Sequence, residues 1–184
     1  ASVSYSQFSD MLFFSNIIYP DTASRPAERG NHFVPLTDDG NMINIHGEFT
    51  GAITSRLRFN AAGNFYRYSL LYNDIDYAWT RPDWDGRFGL KYNLRDKIIA
   101  GVDLNALGSR KMLISKSLTG WTTTSYSEIE EPVHFNLGIS AEYRYTRILS
   151  FWARINNMSY QRYYEWAFYP SQMFNFLVGF TYSL

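Results

Sequence analysis

Apolar residues recur at every second position through most of this chain, and a side-chain period of two is the signature of a β-strand with one greasy face. Ile43, Ile45, Gly47, Phe49, Gly51 and Ile53 alternate with Asn44, His46, Glu48 and Thr50. The same rhythm returns at Leu57–Phe65, Trp84–Tyr92, Ile98–Ala106, Val133–Tyr145, Leu149–Ile155 and Phe174–Leu184. In none of these seven runs does a charge interrupt the apolar face. The segment from Ser2 to Ser15 is less regular, because Met11, Leu12, Phe13 and Phe14 break the alternation; a bulge there restores it. Eight strands are thus expected, with no helical periodicity and no repeat between them.

The connections alternate in length. Tight turns fall near Thr54-Ser55, Arg95-Asp96 and Thr146-Arg147, and long connections at about 16–40, 71–82, 116–132 and 164–171. Short turns at one end and long loops at the other is the habit of outer-membrane barrels. The reading is therefore all-β: an antiparallel transmembrane β-barrel of about eight strands over residues 1–184, either complete or the C-terminal part of a larger one.

A soluble barrel also alternates, so orientation must be argued separately. The polar faces carry mixed charge deep within the strands: His46, Glu48, Arg58, Arg87, Lys91, Asp103, His134, Glu142, Arg144 and Arg154. Both signs suit a polar lumen. A Lys or Arg at mid-bilayer costs roughly 2–4 kcal/mol, which accounts for the clean apolar faces. Aromatic residues are 18% of the chain, and many sit at strand ends: Tyr66, Tyr68, Trp79, Trp84, Tyr143 and Tyr145, then Tyr163, Tyr164, Trp166, Phe168 and Tyr169. They are expected as interfacial girdles. Phe180, Tyr182 and Leu184 share a face of the final strand. Outer-membrane proteins commonly end on such a strand, with an aromatic last residue read by the barrel-assembly machinery; here Leu stands last.

Composition removes several function classes. Seventeen basic and seventeen acidic residues give no net charge, so no basic excess exists to hold nucleic acid. Cysteine is absent, which excludes disulfides and thiolate metal centres. No run of about 18 apolar residues offers a membrane helix. His32, His46 and His134 lack metal-ligand spacing, and no cofactor is expected. No G-x-S-x-G ties a serine to either strand histidine, so an enzyme is the least favoured class; Glu48 is expected to pair with a neighbour such as Arg58. The acidic stretch Asn73, Asp74, Asp76, Asp83 and Asp85 lacks calcium-loop spacing and reads as a solvated loop.

The segments MINIHGEFTGAITSRLRFNAAGNFYRY, PDWDGRFGLKYNLRDKIIAGVDLNALGSRK and RILSFWARINNMSYQRYYEWAFYPSQMFNFLVGFTYSL resemble the C-terminal barrel region of TonB-dependent-receptor-like outer-membrane proteins of Gram-negative bacteria. Tyr163-Tyr164-x-Trp166, Tyr169-Pro170, Asn175-Phe176 and Gly179 carry most of that resemblance. It implies an outer-membrane location and uptake of a nutrient or large ligand, or membership of an outer-membrane complex. The implied partners are membrane lipid, the assembly machinery, and the remaining strands and plug of the same protein or other outer-membrane subunits. The chain opens at Ala1 within strand-like sequence, which favours a segment of a larger barrel. The alternatives are a complete eight-stranded barrel with a structural or interaction role, and a rim-located hydrolase or acyltransferase.

Overall fold

The computed structural model describes residues 1–19, 30–71, 77–117 and 124–183. Among the described residues lie twelve strands: β1 (Ser2–Tyr19), β2 (Gly30–Ala52), β3 (Leu57–Leu70), β4 (Trp84–Leu94), β5 (Ile98–Leu107), β6 (Arg110–Ser117), β7 (Thr124–Glu131), β8 (His134–Arg144), β9 (Leu149–Asn156), β10 (Tyr164–Trp166), β11 (Tyr169–Pro170) and β12 (Asn175–Tyr182). Ten form one sheet in the order β12-β9-β8-β5-β4-β3-β2-β1-β6-β7, and β10 and β11 pair with each other. Eight of the ten make an antiparallel meander from β1 to β12 and match the eight strands expected. Among the described residues β1 and β12 are not paired with each other, so the wall is open.

The short turns show why the chain reverses where it does. Arg95 and Asp96 both have positive φ (53° and 56°), the two left-handed positions of a two-residue hairpin. Asn93 steadies them: its Oδ1 accepts from the Asp96 N–H at 2.9 Å, and Lys97 N–H reaches Leu94 O at 3.0 Å. The other two turns share a device. Thr54 Oγ1 accepts from Arg56 and Leu57 N–H, and Thr146 Oγ1 from Ile148 and Leu149 N–H. Hydroxyl turns of this kind replace the ladder bonds lost at the reversal.

The β1 irregularity is a bulge. Register with β2 shifts between Phe8 and Met11, and Asp10 there takes φ 56° with its N–H held by Asp39 Oδ1 at 2.8 Å. The bulge brings Leu12 and Phe14 onto the face of Val3 and Tyr5 and turns Met11 and Phe13 to the opposite one, and so absorbs the broken alternation.

At the long-loop end, strand pairing runs further than the sequence pattern suggests. Within 16–40, β1 persists to Tyr19 and β2 resumes at Gly30. Within 116–132 lies β7, whose partner β6 also pairs in parallel with β1 at Asn16, Ile17 and Ile18. Within 164–171 lies the small β10–β11 hairpin. The buried side chains gather here and not in the wall. Phe13, Ala78 and Trp79 form one cluster, and Met112, Ile114 and Ala167 another. Trp79 is only 4% exposed, so it is a core residue of the mouth and not part of a lipid-facing girdle. Its loop folds back along β6, fastened by Thr80 N–H to Lys111 O at 2.8 Å.

Candidate functional site

Cross-strand register sorts the meander into two chemically distinct faces. One transverse row reads Gly51, Phe59, Leu90, Val102, Ile139, Ile155, Phe176. Its neighbours read Phe49, Ala61, Phe88, Leu104, Leu137 and Leu57, Tyr92, Ala100, Ala141, Ala153, Val178. No charge enters these rows. The apolar residues stand in the open; Val178, for example, is 64% exposed. Tyr92, Tyr143, Tyr145 and Tyr182 band this face near the short turns, and Phe65, Trp84, Phe135 and Phe174 band it near the long loops. From Phe135 to Tyr143 is eight strand steps, about 27 Å along the strand, which a tilt of about 35–45° projects to roughly 20 Å, the greater part of an apolar belt about 25 Å tall. Arg67 is the first charge on this face of β3 and lies beyond Phe65.

The opposite face reads Ala52, Arg58, Lys91, Gly101, Ser140, Arg154, Leu177, then Thr50, Asn60, Gly89, Asp103, Gly138, then Glu48, Ala62, Arg87, Asn105, Asn136. Glu142 and Arg144 continue it on β8, with Arg144 Nε donating to Glu142 Oε1 at 3.1 Å. All ten polar candidates therefore belong to one face.

That face is wired across strands. His46 Nδ1 and Asn64 Oδ1 are 2.8 Å apart, Asn64 Nδ2 donates to Asp85 Oδ1 at 3.0 Å, and Tyr66 Oη donates to Asp85 Oδ2 at 2.9 Å. Tyr66 is thereby an inner-face hydrogen-bond donor and not an interfacial aromatic; Tyr68, two residues on, shares its face and packs toward Trp79. Glu48 lies 4.0 Å from His46 Nε2 and not against Arg58, which stands two rows away in the register. His46 and His134 occupy one transverse row, through Asn64, Asp85 and Leu107. Four inter-strand spacings, about 19 Å, separate them, so they do not converge on one ion or one serine. Asn73, Asp74 and Asp76 lie outside the described residues, as does Leu184. Phe180 and Tyr182 stand exposed on the apolar face of β12.

Glycines make room on the polar face. A Cβ on Gly179 would overlap Trp152 Cζ2, and one on Gly89 would overlap Asn60 Oδ1. The Trp152 indole thus lies across β12 because residue 179 has no side chain. Gly179→Val is expected to destabilise the wall by about 1–3 kcal/mol through overpacking. Urea unfolding of the detergent-solubilised protein, followed by tryptophan emission, measures it.

The loop between β9 and β12 reaches over this face. The Tyr163 ring lies 3.7 Å from His134, centroid to centroid, and the Arg110 guanidinium stands 5.9 Å from the Tyr163 centroid. Arg110 Nη2 donates to Tyr164 O at 2.8 Å, and Glu131 Oε1 accepts from Tyr164 N–H at 3.1 Å. Arg110 and Glu131 are cross-strand partners on β6 and β7, and each is 6% exposed. Burial pushes the Arg110 guanidinium down from its ordinary pKa, and Glu131 pushes it back up. Trp166 meets the edges of Phe14 and Phe33 at 5.1 and 5.8 Å, Tyr169 sits 5.0 Å from Phe33, and Phe168 takes φ 69° at the β10–β11 reversal. Nothing in the sequence pattern singled out Arg110 or Glu131. The clue, in hindsight, is a charge of each sign flanking a short strand pair.

Two adjoining cavities, about 460 and 560 Å³, open on the polar face. The first lies beneath the β9–β12 loop and the second toward the short turns. Asn60, Asp103 and Arg154 border both.

The same arrangement occurs in solved structures. The sheet has the fold of an outer-membrane receptor's barrel wall. The FpvAI–pyocin S2 complex superposes with a TM-score of 0.68 at 13% identity, covering 98% of this chain and 25% of that one. The ferripyoverdine receptor of the outer membrane of Pseudomonas aeruginosa gives 0.61 at 14%, covering 88% and 21%. A mutant of the ferric enterobactin receptor PfeA from P. aeruginosa gives 0.65 at 12%, covering 99% and 28%. The chain thus spans about a quarter of the length of the structures it matches. No family model and no curated protein matches.

Proposed function

We propose that the chain is the C-terminal barrel wall of a TonB-dependent-receptor-like protein of the outer membrane, serving the uptake of a nutrient or large ligand. The observation that carries this is the separation of faces: hydrocarbon-compatible rows on one side, and on the other every charge that lies between the aromatic bands. In this reading the exposed apolar rows meet lipid and the ten polar candidates face the lumen. Tyr164, Trp166, Phe168 and Tyr169 belong to the outer rim. The edge of β1 that precedes its seam with β6 and the free edge of β12 join further strands, because a bare strand edge in a bilayer leaves backbone groups with no partner. The wall surrounds a plug, the β12 rows with Phe180, Tyr182 and Leu184 engage the assembly machinery, and no nucleic acid is involved.

Cysteine accessibility in the outer membrane tests the orientation. Leu104→Cys is expected to resist a water-soluble maleimide and Asn105→Cys to react. The opposite pattern would falsify the wall assignment.

A further inference from the structure

Independently of what the wall transports, we infer that His134 is an acid-sensitive catch on the mouth. Protonation of its imidazole loosens the arm of the β9–β12 loop, residues 162–170, from the β6–β7 pair, while the base of that loop stays in place.

The loop is fastened in two parts. Its base is bonded to the backbone of β8: Met158 N–H donates to Leu137 O at 2.8 Å, Ser159 Oγ to Phe135 O at 2.7 Å, and Phe135 N–H to Gln161 Oε1 at 2.7 Å. Tyr160, at φ 53°, turns the chain between the two parts. The arm beyond it is held by side chains. Arg110 and Glu131 take the Tyr164 carbonyl and amide, Asn16 Nδ2 donates to Ala167 O at 3.3 Å, and the Tyr163 ring lies against His134.

That last contact is built for a neutral imidazole. His134 is 6% exposed, and its Nε2 makes no hydrogen bond among the described residues. A buried imidazolium with an unmatched N–H is costly. The surroundings supply it no anion. β6 presents Arg110, whose guanidinium already stands over Tyr163. The loop presents Tyr163 and Gln161, whose Oε1 is taken by the Phe135 N–H. β5 presents Leu107 across the register. Glu131 of β7 and Glu165 of the arm bear on Arg110, and Arg162 lies over the Tyr164 ring. A protonated His134 would thus share one aromatic ring with a second cation. His134 heads β8 just beyond the Phe135 band, outside the apolar belt. Burial holds its pKa below the ordinary 6.5, Arg110 lowers it further, and Gln161 alone pulls it upward.

The direction of the switch follows. In the loosened arm the imidazole regains water and its ordinary pKa. Well above that value it is neutral in both arrangements and favours neither. As pH falls through 6.5 the loosened arrangement takes up the proton first. The closed one loses ground until its own lower pKa is passed. Acid in the medium therefore draws Tyr163 and Glu165 away from the cavity beneath the loop, which both border.

The test is hydrogen exchange of the full-length protein in detergent between about pH 8 and about pH 5, each rate divided by that of an unstructured peptide at the same pH. Peptides from 162–170 should lose protection roughly tenfold, with a midpoint below 6.5, while those from 157–161, β4 and β5 stay within about twofold. His134→Phe keeps a ring against Tyr163 but takes no proton; it and His134→Gln should both abolish the pH dependence, and His46→Gln should leave it intact. In the unaltered protein the His134 imidazole resonance should shift with the same midpoint as the arm. Four results overturn the inference: equal protection of the arm at both ends of the range, a loss that survives in either His134 variant, a loss spread evenly through β4 and β5, or an imidazole midpoint apart from that of the arm.

Discussion

Val102→Arg is expected to cost the folded wall about 2–4 kcal/mol, while Asn105→Lys, three residues along the same strand, stays within about 1 kcal/mol. Val102 sits in the middle of β5, in the row from Gly51 to Phe176, where every neighbour is apolar or glycine. A guanidinium there must either remain in hydrocarbon or bend toward an interface, and from the belt's centre neither route is cheap. Asn105 points the other way, beside Asn136 and Arg87 and over the space that Asp103 and Glu165 border, where water and those carboxylates receive an ammonium group and offset the like charge of Arg87. Reversible urea unfolding in phospholipid vesicles gives both values. Equal costs would mean that the two faces see the same solvent, which a membrane wall forbids.

Glu131→Ala is expected to destabilise the mouth by roughly 1–3 kcal/mol, the loss typical when a buried donor is left without its acceptor. The carboxylate holds the Tyr164 amide and offsets the charge of Arg110 in the same buried space. Without it the guanidinium faces Tyr164 O alone, with Glu165 the remaining acidic neighbour. The loss should be local. Hydrogen exchange should rise in β6, β7 and the β10–β11 hairpin while β3, β4 and β5 keep their protection. Replacing Arg110 and Glu131 together by Met and Leu should recover most of the loss, because no isolated charge remains. Uniform loss of protection through the wall would show that the mouth and the wall unfold as one unit.

The wall was legible in the sequence because its physics is local. Each regular strand shows its two environments through alternation alone, and the turn at Arg95-Asp96 and the bulge near Met11 follow from the breaks in that rhythm. The mouth was not legible, for an equally physical reason. β6 and β7 alternate weakly, since Met112 and Ile114 pack on one side of β6 while Leu113 joins the Trp79 cluster on the other. A strand covered on both faces loses the signature that identifies it. Trp79 and Tyr66 mislead in a related way. An aromatic near a strand end is equally at home in a lipid girdle, a loop core or a carboxylate's hydrogen bond, and only the contacts with Phe13 and Asp85 decide. The polar candidates were found by face, but their partners were not, because register sets which carboxylate meets which cation.

The parallel seam between β6 and β1 joins Asn16 to Ile114, roughly a hundred residues apart along the chain. The short hairpins of the meander close over a few residues each and its long connections over a few tens at most, whereas this seam encloses about half of the polypeptide and carries the entropy of a very long loop. It becomes favourable only once the intervening strands have already brought its two sides within reach. Assembly therefore has a direction in time: the staves align first, and the stopper seats last. Until it does, Phe13, Met112 and Ile114 remain uncovered at the rim, a brief sticky stage during which a holdase would have most to protect.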